Sequence, residues 1–314
     1  MRAAIDSCLA EAQATGRISV VIIGATAKTD NPPFIIGPTR ESEQFVGCYF
    51  IVAELQYVAE ICGYADGRAD YIFVDVEGKG ADAAKFAAAA REAVHASKLK
   101  TFKGNDITAL ACDILLAELQ PDLNGRKAAV IGAGNLGCKT ALQLAERGAH
   151  VHLVRRDNQG PAIAAALNAI LPRHGAGVLY SERDAAAAAS GATVLIGFTQ
   201  GLPVIDQAMT AALAPKGLIV DGGIGTIRED AIAEAKRLGH TIMRLDARIA
   251  FAGVIDAILR AERFLTQIAG VREQDGRRYV AGGIIGAKND IVVYDIRDLT
   301  REIGRADGKG GILR

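Results

Sequence analysis

Ala128-Ala129-Val130-Ile131-Gly132-Ala133-Gly134-Asn135-Leu136-Gly137 decides the fold. The stretch reads as a short apolar strand, a GxGxxG turn and the opening of a helix, which is the order a dinucleotide-binding βα unit demands. Gly132 then permits the tight turn, Gly134 lets the backbone approach a pyrophosphate, and Gly137 lets the helix pack closely on the strand. The helix opens at Asn135 and Leu136, where free N–H groups point at the phosphate. A Gly-rich turn that packs tightly and binds nothing is the plainer alternative. Its setting between strand and helix favours cofactor binding.

Downstream, Val151-His152-Leu153-Val154 is the second strand of the unit, and it ends in Arg155-Arg156-Asp157. An NAD site usually places an acid there for the ribose hydroxyls, whereas guanidiniums pair a 2′-phosphate and stack on adenine. NADP is therefore the expected cofactor, with NAD possible through Asp157. Later strand ends should line the nicotinamide half of the crevice. Thr199 follows a strand at 193–198 and Gly222 follows one at 218–221. Glycines there allow close approach to a flat ring, although ordinary loop chemistry explains them too.

Strand and helix alternate through this half, over 127–132, 136–147, 151–155, 160–171, 193–198 and 218–221. Such alternation indicates a mainly parallel sheet with helices on both faces. Upstream, 19–24 and 71–76 read as strands, and 43–62, 81–96 and 105–119 as helices. The prolines in 31–38 read as a loop. A long helix is expected over 247–268, and the tail from Tyr279 resembles a hairpin around Lys288-Asn289-Asp290. The expected fold is α/β: a C-terminal Rossmann domain, a smaller N-terminal α/β domain and a long helix returning between them. The divisions are 1–123, 124–246 and 247–314, with a boundary at the turn Asn124-Gly125.

Composition narrows the class. Thirty-six basic residues balance thirty-six acidic ones in 314, which argues against a dedicated nucleic-acid binder. Half the residues are hydrophobic, so the chain is not disordered. No apolar stretch is long enough to cross a bilayer, and the N-terminus lacks a signal peptide's apolar core. Five scattered cysteines without a CxxC pair read as reduced cytosolic thiols, not as a zinc site. A cytoplasmic protein acting on a small molecule is expected, without nucleic-acid or membrane partners, as a homo-oligomer. The five histidines show no triad or metal spacing, and no serine sits in GxSxG.

The segment before the boundary is Lys100-Thr101-Phe102-Lys103-Gly104-Asn105-Asp106-Ile107-Thr108-Ala109. Either Asn105 or Asp106 suits a helix cap. Because this helix leads into the nucleotide domain, its start should face the interdomain cleft. Lys79, in Asp75-Val76-Glu77-Gly78-Lys79, ends another apolar strand. Partly shielded beside Asp106, it suits a proton donor or a carbonyl polariser; a solvated loop lysine is the plainer alternative. Asp75 and Glu77 face one side of a strand, but no third ligand stands at metal spacing.

From Tyr71 to Arg263 the chain resembles the two-domain amino-acid-dehydrogenase-like superfamily, which includes shikimate, amino-acid, methylene-tetrahydrofolate and methylene-tetrahydromethanopterin dehydrogenases. The resemblance is specific at the glycine fingerprint. It implies a Lys and an Asp acting together, matched here by Lys79 and Asp106. The shikimate Asn-Thr-Asp-Gly pattern is absent, since Asn105-Asp106-Ile107-Thr108 stands there. Residues 1–70 and the tail after Arg272 lie outside the resemblance.

The expectation is an NADP-dependent dehydrogenase moving hydride at a C–N carbon, as in one-carbon metabolism. Oxidising a carbon between two nitrogens needs no proton transfer at that carbon. Carbonyl or imine reduction, as in the shikimate- and amino-acid-type enzymes, needs a proton donor. A non-catalytic NAD(P)-binding sensor is the alternative from another class.

Overall fold

Helix α1 (Arg2–Thr15) stops at Gly16, whose φ of 66° is left-handed backbone that glycine adopts at no steric cost. It leads into β1 (Ile18–Ala25), a run buried along nearly its whole length. A strand covered on both faces belongs inside a parallel sheet. The computed structural model describes residues 1–26, 31–80 and 82–313. The first sheet adds β2 (Phe34–Glu41), β3 (Phe45–Val52), β4 (Tyr71–Asp75) and β5 (Lys98–Phe102), in the order β2-β3-β1-β4-β5. Every pairing is parallel except that of β2 with β3. Helices α2 (Leu55–Ala65) and α3 (Phe86–Ala93) join α1 over one face, where Ile5, Ile61 and Phe86 pack against Ile23, Phe50 and Val74.

Three expectations change here. Residues 31–38 are not a loop throughout, because Phe34 begins β2. An edge strand needs donors on one side only, and Pro38 sits in a register shift between Gly37 and Arg40. Residues 43–62 are not one helix but β3 followed by α2. The aromatic and β-branched run Phe45-Val46-Gly47-Cys48-Tyr49-Phe50-Ile51-Val52 is mostly buried, and a run buried on both faces carries no usable period. The helix expected over 81–96 shortens to α3, preceded by a 3₁₀ turn at Ala83–Lys85; Ala81 lies outside the described residues.

Helix α4 (Gly104–Leu119) leads to the second sheet. Its elements are β6 (Lys127–Ile131), α5 (Asn135–Glu146), β7 (His150–Val154), α6 (Gly160–Ala169), β8 (Val178–Glu182), α7 (Ala185–Ala189) and β9 (Val194–Gly197). Then come α8 (Gln207–Ala211), β10 (Leu218–Asp221), α9 (Glu229–Leu238) and β11 (Thr241–Arg244). All pairings are parallel, in the order β11-β10-β9-β6-β7-β8. Counted from β6 this is the doubly wound Rossmann order, which reverses between β6 and β9 and opens a crevice above that point.

Helix α10 (Arg248–Arg263) begins beside the first sheet: the Phe251 ring lies 5.3 Å from Tyr49 and 5.7 Å from Phe102. A π turn, Phe264–Ile268, ends the long helical run. The chain forms two compact units, Met1–Ala252 and Gly253–Arg314, so both parallel sheets belong to the first. The expected boundary at Asn124-Gly125 falls between those sheets, and α10 crosses the boundary between the units.

The second unit holds β12 (Gly270–Gln274), β13 (Arg277–Ala281), β14 (Ile291–Asp295), β15 (Asp298–Ala306) and β16 (Ile312–Leu313), in sequential order. The expected hairpin around Lys288-Asn289-Asp290 is corrected, because β13 and β14 pair in parallel. The hairpins are instead β12–β13 and β14–β15. Asp275 and Gly276, with φ of 51° and 69°, form the first turn, whose twist matches that of the paired strands. Among the described residues, no helix is long and apolar enough to cross a membrane.

Candidate functional site

Each glycine of the fingerprint has a different surrounding. Gly132 has φ of 108°, and a Cβ there would stand 2.5 Å from the Phe198 carbonyl oxygen. The N–H groups of Gly132 and Ala133 both donate to the Val154 carbonyl at 3.1 Å, which ties the turn to β7. A Cβ on Gly137 would collide with the Gly132 carbonyl, so helix and turn touch backbone to backbone. Gly134 differs: a Cβ there meets nothing within 4 Å. The turn is closed on the protein side at Gly132 and Gly137 and open at Gly134. A pyrophosphate needs that opening, together with the N–H groups of α5.

An open cavity of about 470 Å³ adjoins the turn, lined by Gly134, Asn135, Cys138 and Arg155 and walled by Ile163 and Leu167. Burial pushes the Cys138 thiol above its ordinary pKa. Leu136, the second residue of α5, is half-buried behind the turn.

The two arginines differ in freedom. Arg155 donates through Nε and Nη2 to both Asp157 carboxylate oxygens, at 2.6 and 2.7 Å, and through Nη1 to the Ala133 carbonyl at 2.7 Å. This pairing holds the Arg155 guanidinium above its ordinary pKa and the Asp157 carboxyl below its own. Arg156 is exposed, with no hydrogen bond or ion pair among the described residues. Replacing both by Ser is expected to weaken NADP binding more than NAD binding, with Arg156→Ser alone producing most of the discrimination. Calorimetric titration of both nucleotides checks this; equal losses would mean that neither guanidinium reads the 2′-phosphate.

The strand ends of the first sheet meet α4. Asp75 is 1% exposed. Its carboxylate accepts from the N–H groups of Glu77 (3.0 Å), Gly104 (3.2 Å) and Ala25 (3.5 Å), and from Lys79 Nζ at 2.7 Å. Glu77 accepts the Asn105 N–H. Two carboxylates from the end of β4 thus satisfy the first free N–H groups of α4 and complement its positive end. Neither Asn105 nor Asp106 caps the helix through its side chain, which corrects that expectation.

Lys79, with its side chain 14% exposed, pairs directly with Asp75 and stands 4.0 Å from Glu77. Asp106 is instead bonded to Lys103 and to Lys139 of α5, and Lys139 also reaches Glu77 at 3.3 Å. The expected Lys79–Asp106 contact is therefore replaced by a chain, Asp75–Lys79–Glu77–Lys139–Asp106. Burial opposes charge on Asp106, but Lys103 and Lys139 outweigh it and hold its carboxyl below the ordinary value. Among the described residues no group of three or more His, Cys, Asp or Glu is placed to hold a metal.

The chain of charges reaches the glycine turn. The Asn105 side-chain amide donates to Asn135 Oδ1 at 3.1 Å, joining the first turn of α4 to the first residue of α5. At the other sequence-predicted positions the neighbours are internal. The Thr199 hydroxyl donates to the Leu202 carbonyl at 2.6 Å. The flat ring that Gly222 accommodates is that of Phe198, where a Cβ would collide. The sequence does not single out Asp75 as the partner of Lys79, because the two leave a strand into a loop where i, i+4 spacing predicts no contact. Lys139 had no signal either, being 33 residues from Asp106.

No family model and no curated protein matches the chain. Among solved structures it is similar to the dipicolinate synthase A chain of Bacillus subtilis, at 19% identity over 77% of this chain and 78% of that one, with a TM-score of 0.37. It is also similar to the 5-ketofructose reductase of a Gluconobacter species (18% identity, 77% and 92% covered, TM-score 0.40). A third is the L-tryptophan dehydrogenase of Nostoc punctiforme (14% identity, 68% and 61% covered, TM-score 0.40). At these scores the likenesses carry no argument, and the α/β fold rests on the strand orders above.

Proposed function

We propose that the chain is an NADP-dependent dehydrogenase that moves hydride at a C–N carbon of a small polar substrate, in the manner of the methylene-tetrahydropterin enzymes. The observation that carries this reading is the Asn105–Asn135 hydrogen bond of 3.1 Å. It sets the charged strand ends of the first sheet against a glycine turn that is open only where a pyrophosphate would lie. The nicotinamide, when bound, supplies the hydride acceptor or donor. The chain's own residues hold the substrate: Lys79 is kept in place by Asp75, and Lys139 by Glu77 and Asp106. Removing hydride from a carbon between two nitrogens leaves a cation stabilised by both, so no side chain has to move a proton there.

One observation favours a second reading, the reduction of C=O or C=N. Lys79 is an ammonium fixed 2.7 Å from a buried carboxylate, which is the preorganised donor that a developing alkoxide requires. Lys79→Met separates the two. On the C–N reading, substrate KM is expected to rise about tenfold while kcat stays within a few-fold. A fall in kcat of about 100-fold or more would establish the proton-transferring reaction instead. Asp106→Asn is expected to change kcat little on either reading, because Asp106 pairs with Lys103 and Lys139 and not with Lys79. The assay is NADPH absorbance across methylene-pterin, keto-acid and imine substrates. Nucleotide binding without turnover of any of them would point to a sensor.

A further inference from the structure

Arg40 of β2 is buried, only 8% exposed, and makes no direct ion pair among the described residues; the Asp246 carboxylate acts on it only from a distance. The guanidinium carbon lies 4.7 Å from the centre of the Tyr49 ring and 5.0 Å from that of Phe251, so aromatic faces cover it. One in-plane donor, Nη1, reaches the Pro38 carbonyl at 3.0 Å. Buried Nε has no acceptor, and no hydrogen bond engages Nη2 among the described residues. Asp246 belongs to Arg248, at 2.6 and 2.8 Å. Ring faces stabilise a cation, but they leave N–H donors in the guanidinium plane unsatisfied. A buried donor without an acceptor is costly, and the Nε–Nη2 edge has the geometry that grips a carboxylate with two parallel hydrogen bonds.

This edge belongs to the same face of the first sheet as the proposed site. Tyr49 lies over two glycines: a Cβ on Gly24 would stand 2.5 Å from its hydroxyl oxygen, and one on Gly37 would stand 2.6 Å from its ring. Gly24 precedes Ala25, whose N–H donates to Asp75. Burial pushes the Tyr49 phenol up to about 12 against the opposing Arg40 charge, and the Asp75 charge adds a smaller push in the same direction as burial, so the ring lies within electrostatic reach of both Arg40 and Asp75.

We propose that Arg40 is the anchor for a planar carboxylate on the substrate, gripped through its Nε–Nη2 edge while Tyr49 and Phe251 cover the guanidinium faces. This deepens the dehydrogenase reading and rests on it for the word substrate. The carboxylate site itself stands on the Arg40 geometry.

The full chain is titrated with benzoate, glutarate and the neutral control benzamide, with and without NADPH, in the wild type, Arg40→Met and Arg40→Lys. A carboxylate, and not benzamide, is expected to bind the wild type, and both variants are expected to bind it about tenfold or more weakly. NADPH affinity, read by its fluorescence, is expected to stay equal in all three. Arg40→Met without ligand is expected to unfold at no lower denaturant concentration than the wild type, since it removes a buried charge that has no direct ion-pair partner and a buried donor without an acceptor. No carboxylate binding by the wild type, or equal binding by wild type and variants, would overturn the proposal. A less stable Arg40→Met that keeps carboxylate affinity would make Arg40 a structural brace instead. Should Arg40→Met fail to fold, Arg40→Lys decides, because it keeps the charge and loses the planar fork. Failure of NADPH to bind any form would refute the cofactor reading and leave the carboxylate result to stand separately.

Discussion

Gly134→Val is expected to reduce NADPH affinity by about 100-fold or more, equivalent to about 2.7 kcal/mol, while the protein folds normally. The expectation follows from the asymmetry of the turn. Gly134 has φ of −88° and ψ of −164°, extended backbone that valine adopts readily. Its Cβ direction is empty to 4 Å, so the new methyl groups disturb no protein atom and occupy the space a pyrophosphate needs. Isothermal calorimetry gives the affinity, and far-UV circular dichroism, needed in a chain without tryptophan, checks the fold. Gly137→Ala is the control with the opposite outcome: its Cβ collides with the Gly132 carbonyl, so folding around the second sheet fails first. Wild-type affinity in a folded Gly134→Val protein would remove the nucleotide from this turn.

Asp75→Ala is expected to destabilise the first unit by about 3–5 kcal/mol, because it strands the partly buried Lys79 ammonium and three N–H donors. The lost partners are Lys79 Nζ at 2.7 Å and the amides of Glu77, Gly104 and Ala25 at 3.0, 3.2 and 3.5 Å. Asp75→Asn keeps an acceptor oxygen for those amides and loses only the charge, so about half of the destabilisation is expected. Urea unfolding followed by circular dichroism measures both. A loss below about 1 kcal/mol for Asp75→Ala would show that water replaces the carboxylate and that the strand end is open to solvent.

The two halves of unit 1 were unequally legible. In the second sheet, strands β6, β7, β9 and β10 could be read from short apolar runs, each closed by glycine or by a charged residue. The turn residues Gly132, Gly134 and Gly137 follow one another within six positions, so the motif is legible although Gly132 also abuts Phe198 and bonds to Val154. The first sheet was harder. Phe45–Val52 is buried on both faces, so its hydrophobic period does not separate a strand from a helix and only its aromatic and β-branched composition does, and Pro38 masked an edge strand that tolerates proline through a register shift.

Local chemistry therefore established the α/β class, the glycine turn and the Arg155-Arg156 strand end, because each is written in a short run of consecutive residues. Tertiary structure alone decided which charges meet. Asp75 and Glu77, not Asn105 or Asp106, satisfy the start of α4, since free helix amides take whichever acceptors the fold brings within about 3 Å. Lys139 joins Asp106 to Glu77 across 33 and 62 residues, and Arg40 lies between rings contributed by β3 and α10. Hydrogen bonds and ion pairs act over a few ångströms, and only the folded chain brings groups so far apart in sequence within that range.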